Sequence, residues 1–339
     1  MMNFITKLLF SMTLIMGTFI TLSSSSWIGM WMGLELNLLS FIPLMINNNL
    51  NSTESSIKYF ITQAFASLVF LFASIIYIIK FSYMSPLYFN FENMIINSAM
   101  LLKLGAAPFH FWFPNIIEGL TWLNSLILMT WQKIAPLTII SYSNYNTFIL
   151  MFIIVSVIIG SIGGLNQTSL RKLMAFSSIN HIGWMLTAMI YSNLLWMFYF
   201  MIYTIINLSI ISMFKIFNLH YINQIYLFNN KNLIMKFCLF VNLLSLGGLP
   251  PFLGFLPKWM IIENLTFLKS FMLLFIMIMM ALITLFFYAR LSFSAFLLSY
   301  PSSNWKMYSS SKFKNMNIIS LANLIVNFTL VLFMMNNFI

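Results

Sequence analysis

The sequence predicts an all-α membrane protein of about eleven transmembrane helices, and three observations predict it. Hydrophobic residues make up 61% of the 339 residues and charged residues only 6%, with a mean hydropathy of +0.94. A soluble domain carries about 25% charged residues, so this supply of charge cannot build a water-facing surface. Apolar runs recur at roughly the ~20 residues that a helix needs to cross the bilayer core. The connections between them are short and hold Asn, Ser and Lys.

In order, the spans are 4–22, 27–46, 57–79, 94–116, 121–142, 148–165, 170–190, 194–217, 237–264, 270–298 and 317–337. The longest polar stretches, 218–236 and 299–316, leave no room for an extramembrane domain. The chain therefore reads as a single transmembrane domain over 1–339. An odd span count puts the termini on opposite faces. Ten loop cations, among them Lys7, Arg171, Lys172 and Lys215, then share a face with the N-terminus, against Lys80 and Lys269 on the other. Positive charge accumulates on the inner side, which predicts an N-terminus on the inner side of the membrane and a C-terminus on the outer side. Arg290, in the tenth span, is expected to snorkel towards the N-terminal face.

The residue choice points to a genome. Phe (37) and Met (28) are abundant, Arg is scarce and Asp is missing, a bias towards A/T-rich codons and a code that reads a common one as Met, as in animal mitochondria. No cleavable signal or Arg-rich transit peptide is expected. The formal charge of +11 belongs to membrane orientation and not to nucleic acid, because the basic residues are scattered singly between apolar runs. The run Gly160-Ser161-Ile162-Gly163-Gly164 lacks the lysine of a phosphate loop. Cys238 is the single cysteine, which precludes an internal disulfide or a Cys-ligated iron–sulfur cluster. Three scattered histidines without Asp make no metal site.

Four ionisable residues, Glu35, Lys103, Lys133 and Lys258, fall near the middle of their spans, and His181 lies at similar depth. A charge at the bilayer centre costs ~2.5–3.5 kcal/mol even on the milder scale, so four unpaired ones would cost roughly 10 kcal/mol. They must be paired, hydrated or neutralised inside the bundle. A proton path is one reading and a static Glu35–lysine pair the other; the pair leaves two mid-depth lysines without an acid. His110, beside Pro108, is expected to satisfy backbone groups, and His220 lies in a loop.

Two spans carry matching interruptions. The fourth reads Leu101-Leu102-Lys103-Leu104-Gly105-Ala106-Ala107-Pro108, and the ninth Leu243-Leu244-Ser245-Leu246-Gly247-Gly248-Leu249-Pro250, followed by Pro251. Each continues to a second proline and an Ile-Ile-Glu segment. Proline removes a donor and clashes with the preceding turn, so both spans are expected to break at membrane depth. Five crossings separate them, so they run in opposite directions. This predicts an inverted repeat, with one five-span unit over 1–142, another over 148–298, and a loop and final helix over 299–339.

These segments, with Trp31-Met32-Gly33-Leu34-Glu35-Leu36-Asn37, Trp131-Gln132-Lys133-Ile134-Ala135-Pro136 and Gly164-Leu165-Asn166-Gln167-Thr168-Ser169-Leu170-Arg171-Lys172, resemble the antiporter-like subunits of proton-pumping NADH:ubiquinone oxidoreductase (complex I) of animal mitochondria. The resemblance runs from about residue 20 to 298. It implies a proton channel in the mitochondrial inner membrane: Glu35 as acidic partner of Lys103, Lys133 as central relay with His181 near it, and Lys258 as terminal site facing a neighbouring antiporter-like subunit. It implies other membrane-arm subunits as partners, with lipids such as cardiolipin. The flavin (FMN), the iron–sulfur clusters and the ubiquinone site would lie elsewhere in the complex, leaving this chain without a cofactor or metal. Bacterial relatives have fourteen helices, so the chain would lack the first three, and another subunit or lipid would cover that flank. A sodium–proton antiporter subunit shares the same motifs, and a purely structural membrane-arm subunit is the remaining alternative.

Overall fold

A computed structural model describes residues 4–47, 49–83, 90–143, 146–226 and 233–297. The expected final span, 317–337, lies outside them. The described helices are α1 (Phe4–Ser23), α2 (Trp27–Met45), α3 (Leu50–Tyr83), α4 (Asn90–Leu104), α5 (Trp112–Gly119), α6 (Trp122–Met129), α7 (Trp131–Tyr142), α8 (Asn146–Gly164), α9 (Leu170–Tyr191), α10 (Asn193–Phe217), α11 (Ile222–Tyr226), α12 (Leu233–Gly247), α13 (Phe255–Phe267) and α14 (Phe271–Leu297). Among the described residues the only β pairing is an isolated bridge between Ser169 and Tyr221.

Seven of these helices are long and apolar enough to cross a membrane. They correspond to the first three expected spans and to the sixth, seventh, eighth and tenth. The fourth, fifth and ninth spans are each divided into two shorter helices. The division of the fifth was not expected. It falls at Thr130, whose hydroxyl bonds back to the Leu126 carbonyl at 2.7 Å, a contact that bends helices. Pro136 in the next turns weakens the ladder again.

The chain forms two compact units, Met1–Ser156 and Val157–Ile339. In the first, α1 lies against α2 with almost no side chain between the backbones. A Cβ on Gly33 would sit 2.7 Å from the Thr21 nitrogen and 2.8 Å from the Gly17 carbonyl oxygen, the close approach that small residues allow between membrane helices. α3 packs on α2, α4 and α5, and α4 packs on α7. In the second unit, α9 packs on α10 and α13, and α12 on α10 and α14. α9 is the core of this unit, with 89% of its spanning window buried.

Polarity is distributed inside out. Phe65, Leu68 and Phe72 on α3 are exposed, whereas Asn37, Gln63, Lys103 and Lys133 are buried. Lipid accepts the apolar exterior at no cost, so the free energy at stake is the satisfaction of the polar interior.

Candidate functional site: buried lysines beside two interrupted helices

In the first unit, α4 ends in a Schellman motif. Gly105 takes φ +72°, Ala106 N donates to Leu101 O at 3.0 Å and Gly105 N to Leu102 O at 3.1 Å. The left-handed residue closes the helix and satisfies its last carbonyls. Trp112 Nε1 adds a bond to Leu102 O at 3.1 Å. Lys103 therefore stands on the last turn of a helix that stops at Leu104. It is buried, and so is Lys133 on α7, whose amine lies 5.5 Å from the centre of the Phe113 ring.

Lys103 and Lys133 line one cavity of about 20 Å³, with Asn37, Tyr59, Gln63 and Gln132 among its walls. That volume admits one water molecule. The walls are tied together: Gln132 Nε2 donates to Asn37 Oδ1 at 2.8 Å, and Gln63 Nε2 to the Lys103 carbonyl at 3.4 Å. Glu35 is half-buried and is not a wall of this cavity. Its charge reaches Lys103 through space and not through an ion pair within 4.0 Å.

In the second unit, α12 ends in the same motif, one residue later than the sequence match implies. Gly248, not Gly247, is left-handed, at φ +88°. Leu249 N donates to Leu244 O at 3.4 Å and Gly248 N to Ser245 O at 3.1 Å. The chain turns through Pro250 and Pro251 and resumes as α13. From there Lys258 folds back, and its amine donates to Leu246 O at 3.2 Å and Gly247 O at 2.9 Å. The buried amine thus occupies the negative end of the α12 dipole. The same amine lies 5.8 Å from the centre of the Trp184 ring on α9. One turn before Trp184, the Nδ1 atom of His181 lies 2.8 Å from the Tyr199 hydroxyl, and the Tyr203 ring stands 5.1 Å from the imidazole.

Lys103 and Lys133 are thus brought together, Lys258 meets the interrupted helix, and His181 joins a tyrosine cluster. Glu35 stays apart from direct contact. The Nδ1 atom of His110 lies 3.3 Å from the Pro108 carbonyl oxygen. Outside the spans, burial first and the Arg171 guanidinium second hold His220 below the usual imidazole pKa. Gln63, Tyr59 and Tyr199 belong to the site and were missed. Gln63 had a signal, a polar amide within an apolar run, because such residues turn towards the bundle interior. Glu92, fully buried in the first turn of α4, fell just outside the expected fourth span. Among the described residues no group of three His, Cys, Asp or Glu side chains is placed to hold a metal.

The family described as NADH:quinone oxidoreductase/Mrp antiporter, transmembrane, matches residues 24–284. NADH-ubiquinone oxidoreductase chain 2 of Anopheles gambiae is 54% identical over 329 residues, covering 96% of this chain and 95% of the relative. The Aedes aegypti relative of the same name is 54% identical over 326 residues, 96% of each chain. The chain belongs to the NADH-ubiquinone oxidoreductase chain 2 family. A solved structure, respiratory complex I from Thermus thermophilus with bound aureothin, contains a chain of the same fold. Its TM-score is 0.82 at 20% identity, over 95% of this chain and 77% of that one.

Proposed function

We propose that this multi-pass inner-membrane subunit of proton-translocating NADH-ubiquinone oxidoreductase moves protons through the buried amines of its two units, Lys103 and Lys133 in the first and Lys258 with His181 in the second. The observation that carries the reading is the shared cavity of Lys103 and Lys133, with room for one water between neutral amides. An amine in such a place gives up and regains its proton at modest cost, and the water exchanges it with the other amine. Glu35 acts at longer range: when its own charge changes, so does the cost of keeping a proton on Lys103. In the second unit the α12 carbonyls stabilise the protonated form of Lys258, and displacing the amine from them favours release.

On this reading residues 1–142 and 148–298 are inverted repeats, the N-terminus faces the matrix, and the Lys258 end meets an adjoining antiporter-like subunit. The chain contributes titratable groups and no redox centre of its own; flavin, iron–sulfur and quinone chemistry belong to other parts of the complex. Lys103→Met and Lys258→Met, measured in assembled complex for protons translocated per NADH oxidised, test it. Loss of translocation with normal assembly supports the path. Unchanged translocation in both variants leaves the subunit a structural brace.

A further inference from the structure

Arg290 breaks a pattern. The outward stripe of α14 runs through Met279, Leu282, Phe286 and Phe293 at helical spacing, and all four are exposed, between 45% and 65%. Arg290 falls on the same stripe, four residues after Phe286 and three before Phe293, and is exposed as well. A lone cation on an exposed apolar row within a membrane span demands an anion or polar groups, because apolar surroundings offer it neither.

The structure supplies part of that demand. Arg290 turns into a cavity of about 380 Å³ between the loop after α8 and the start of α11, lined also by Asn166, Thr168, Tyr221 and Asn223. One guanidinium nitrogen, Nη2, donates to the Leu165 carbonyl at 2.7 Å. The remaining N–H donors form a planar fork suited to paired oxygens. No carboxylate lines the cavity, and the chain as a whole carries a formal charge of +11. The volume falls within the range of small-ligand sites. The polar cavity opens beside the apolar stripe, so a molecule with a charged head and a hydrocarbon body satisfies both at once.

The geometry points to a binding site for an anionic phospholipid: the phosphodiester on Arg290, the rest of the headgroup among the amides of Asn166 and Asn223, and the acyl chains along Phe286 and Leu282. This site is separate from the buried lysines and stands whether or not they conduct protons.

The test uses whole complex from wild type, Arg290→Gln and Arg290→Lys, stripped of lipid in detergent and titrated with short-chain phosphatidylglycerol while bound lipid is counted by native mass spectrometry. Arg290→Gln should need about tenfold more lipid for half-occupancy, with Arg290→Lys in between, because lysine keeps the charge but loses the fork. Equal occupancy curves for all three overturn the proposal. So does displacement of the lipid by millimolar inorganic phosphate, which would make the site one for free anions. If Arg290→Gln does not assemble, Asn166→Leu fills the polar wall instead; it should weaken binding too, and an unshifted curve overturns the proposal equally.

Discussion

The two interrupted helices start from the same sequence signature and treat their lysines in opposite ways. In the first unit the lysine precedes the break: Lys103 sits on the last turn of α4, and its amine shares a water-sized cavity with Lys133. In the second the lysine follows the break: Lys258 reaches back from α13 and caps the carbonyls of Leu246 and Gly247. One lysine lines a cavity walled by amides and feels a carboxylate through space; the other caps a helix dipole. The break is therefore a device for freeing backbone groups, and the lysine's place relative to it decides whether those groups bind the cation or leave it to side chains.

That contrast ranks the substitutions. The largest effect is expected for Lys258→Met. It removes translocation if the path is right, and it strips the donor from two buried carbonyls, each costing ~1–3 kcal/mol when left unpaired. Lys103→Met should also stop translocation while disturbing stability less, since the carbonyls of α4 are closed by Gly105, Ala106 and Trp112. Thermal stability of the assembled complex, measured beside proton translocation, separates the two. Equal destabilisation would break the comparison.

Next in size are the glycines. Gly248→Ala forces a left-handed residue to carry a Cβ, at roughly 1–2 kcal/mol. That Cβ would sit 3.0 Å from both Cδ and Nζ of Lys258, so translocation should fall along with stability. At Gly247, the motif glycine, an added Cβ meets nothing closer than 3.5 Å, and alanine should be accepted with little change. A Gly247→Ala variant more damaged than Gly248→Ala would show that the turn is built in the register of the sequence match after all.

This pair also shows what the sequence could and could not reveal. The long spans were legible because bilayer thickness fixes their length, and the interruptions because Gly and Pro are poor helix formers wherever they stand. The register of the second turn was not legible, since Gly247 and Gly248 are the same residue type and only packing chooses between them. The break at Thr130 left no Gly or Pro to mark it. Lys103, Lys133 and Lys258 stood out by the cost of burying charge. Gln63 carried the weaker signal of a polar amide in an apolar run and Tyr59 carried none, because which face of α3 a tyrosine turns to depends on its neighbours. For the same reason the sequence could propose Glu35 and Lys103 as partners but could not set their separation.

A smaller effect should follow from Gln63→Leu. The amide is buried and donates to the Lys103 carbonyl at 3.4 Å, a long bond, so its loss should cost stability only about 0.5–1.5 kcal/mol. Its larger consequence is for the cavity, where a polar wall becomes apolar and water is held less well. Translocation should slow without stopping, and more than in Gln63→Glu, which keeps a polar wall. The exposed pair on the same helix is the control. Lys58 and Glu54 meet at 2.5 Å with side chains 52% and 66% exposed, and Glu54→Gln should change neither translocation nor stability, because solvent screens such pairs. If Gln63→Leu proves as silent as Glu54→Gln, the cavity between Lys103 and Lys133 does not carry the proton.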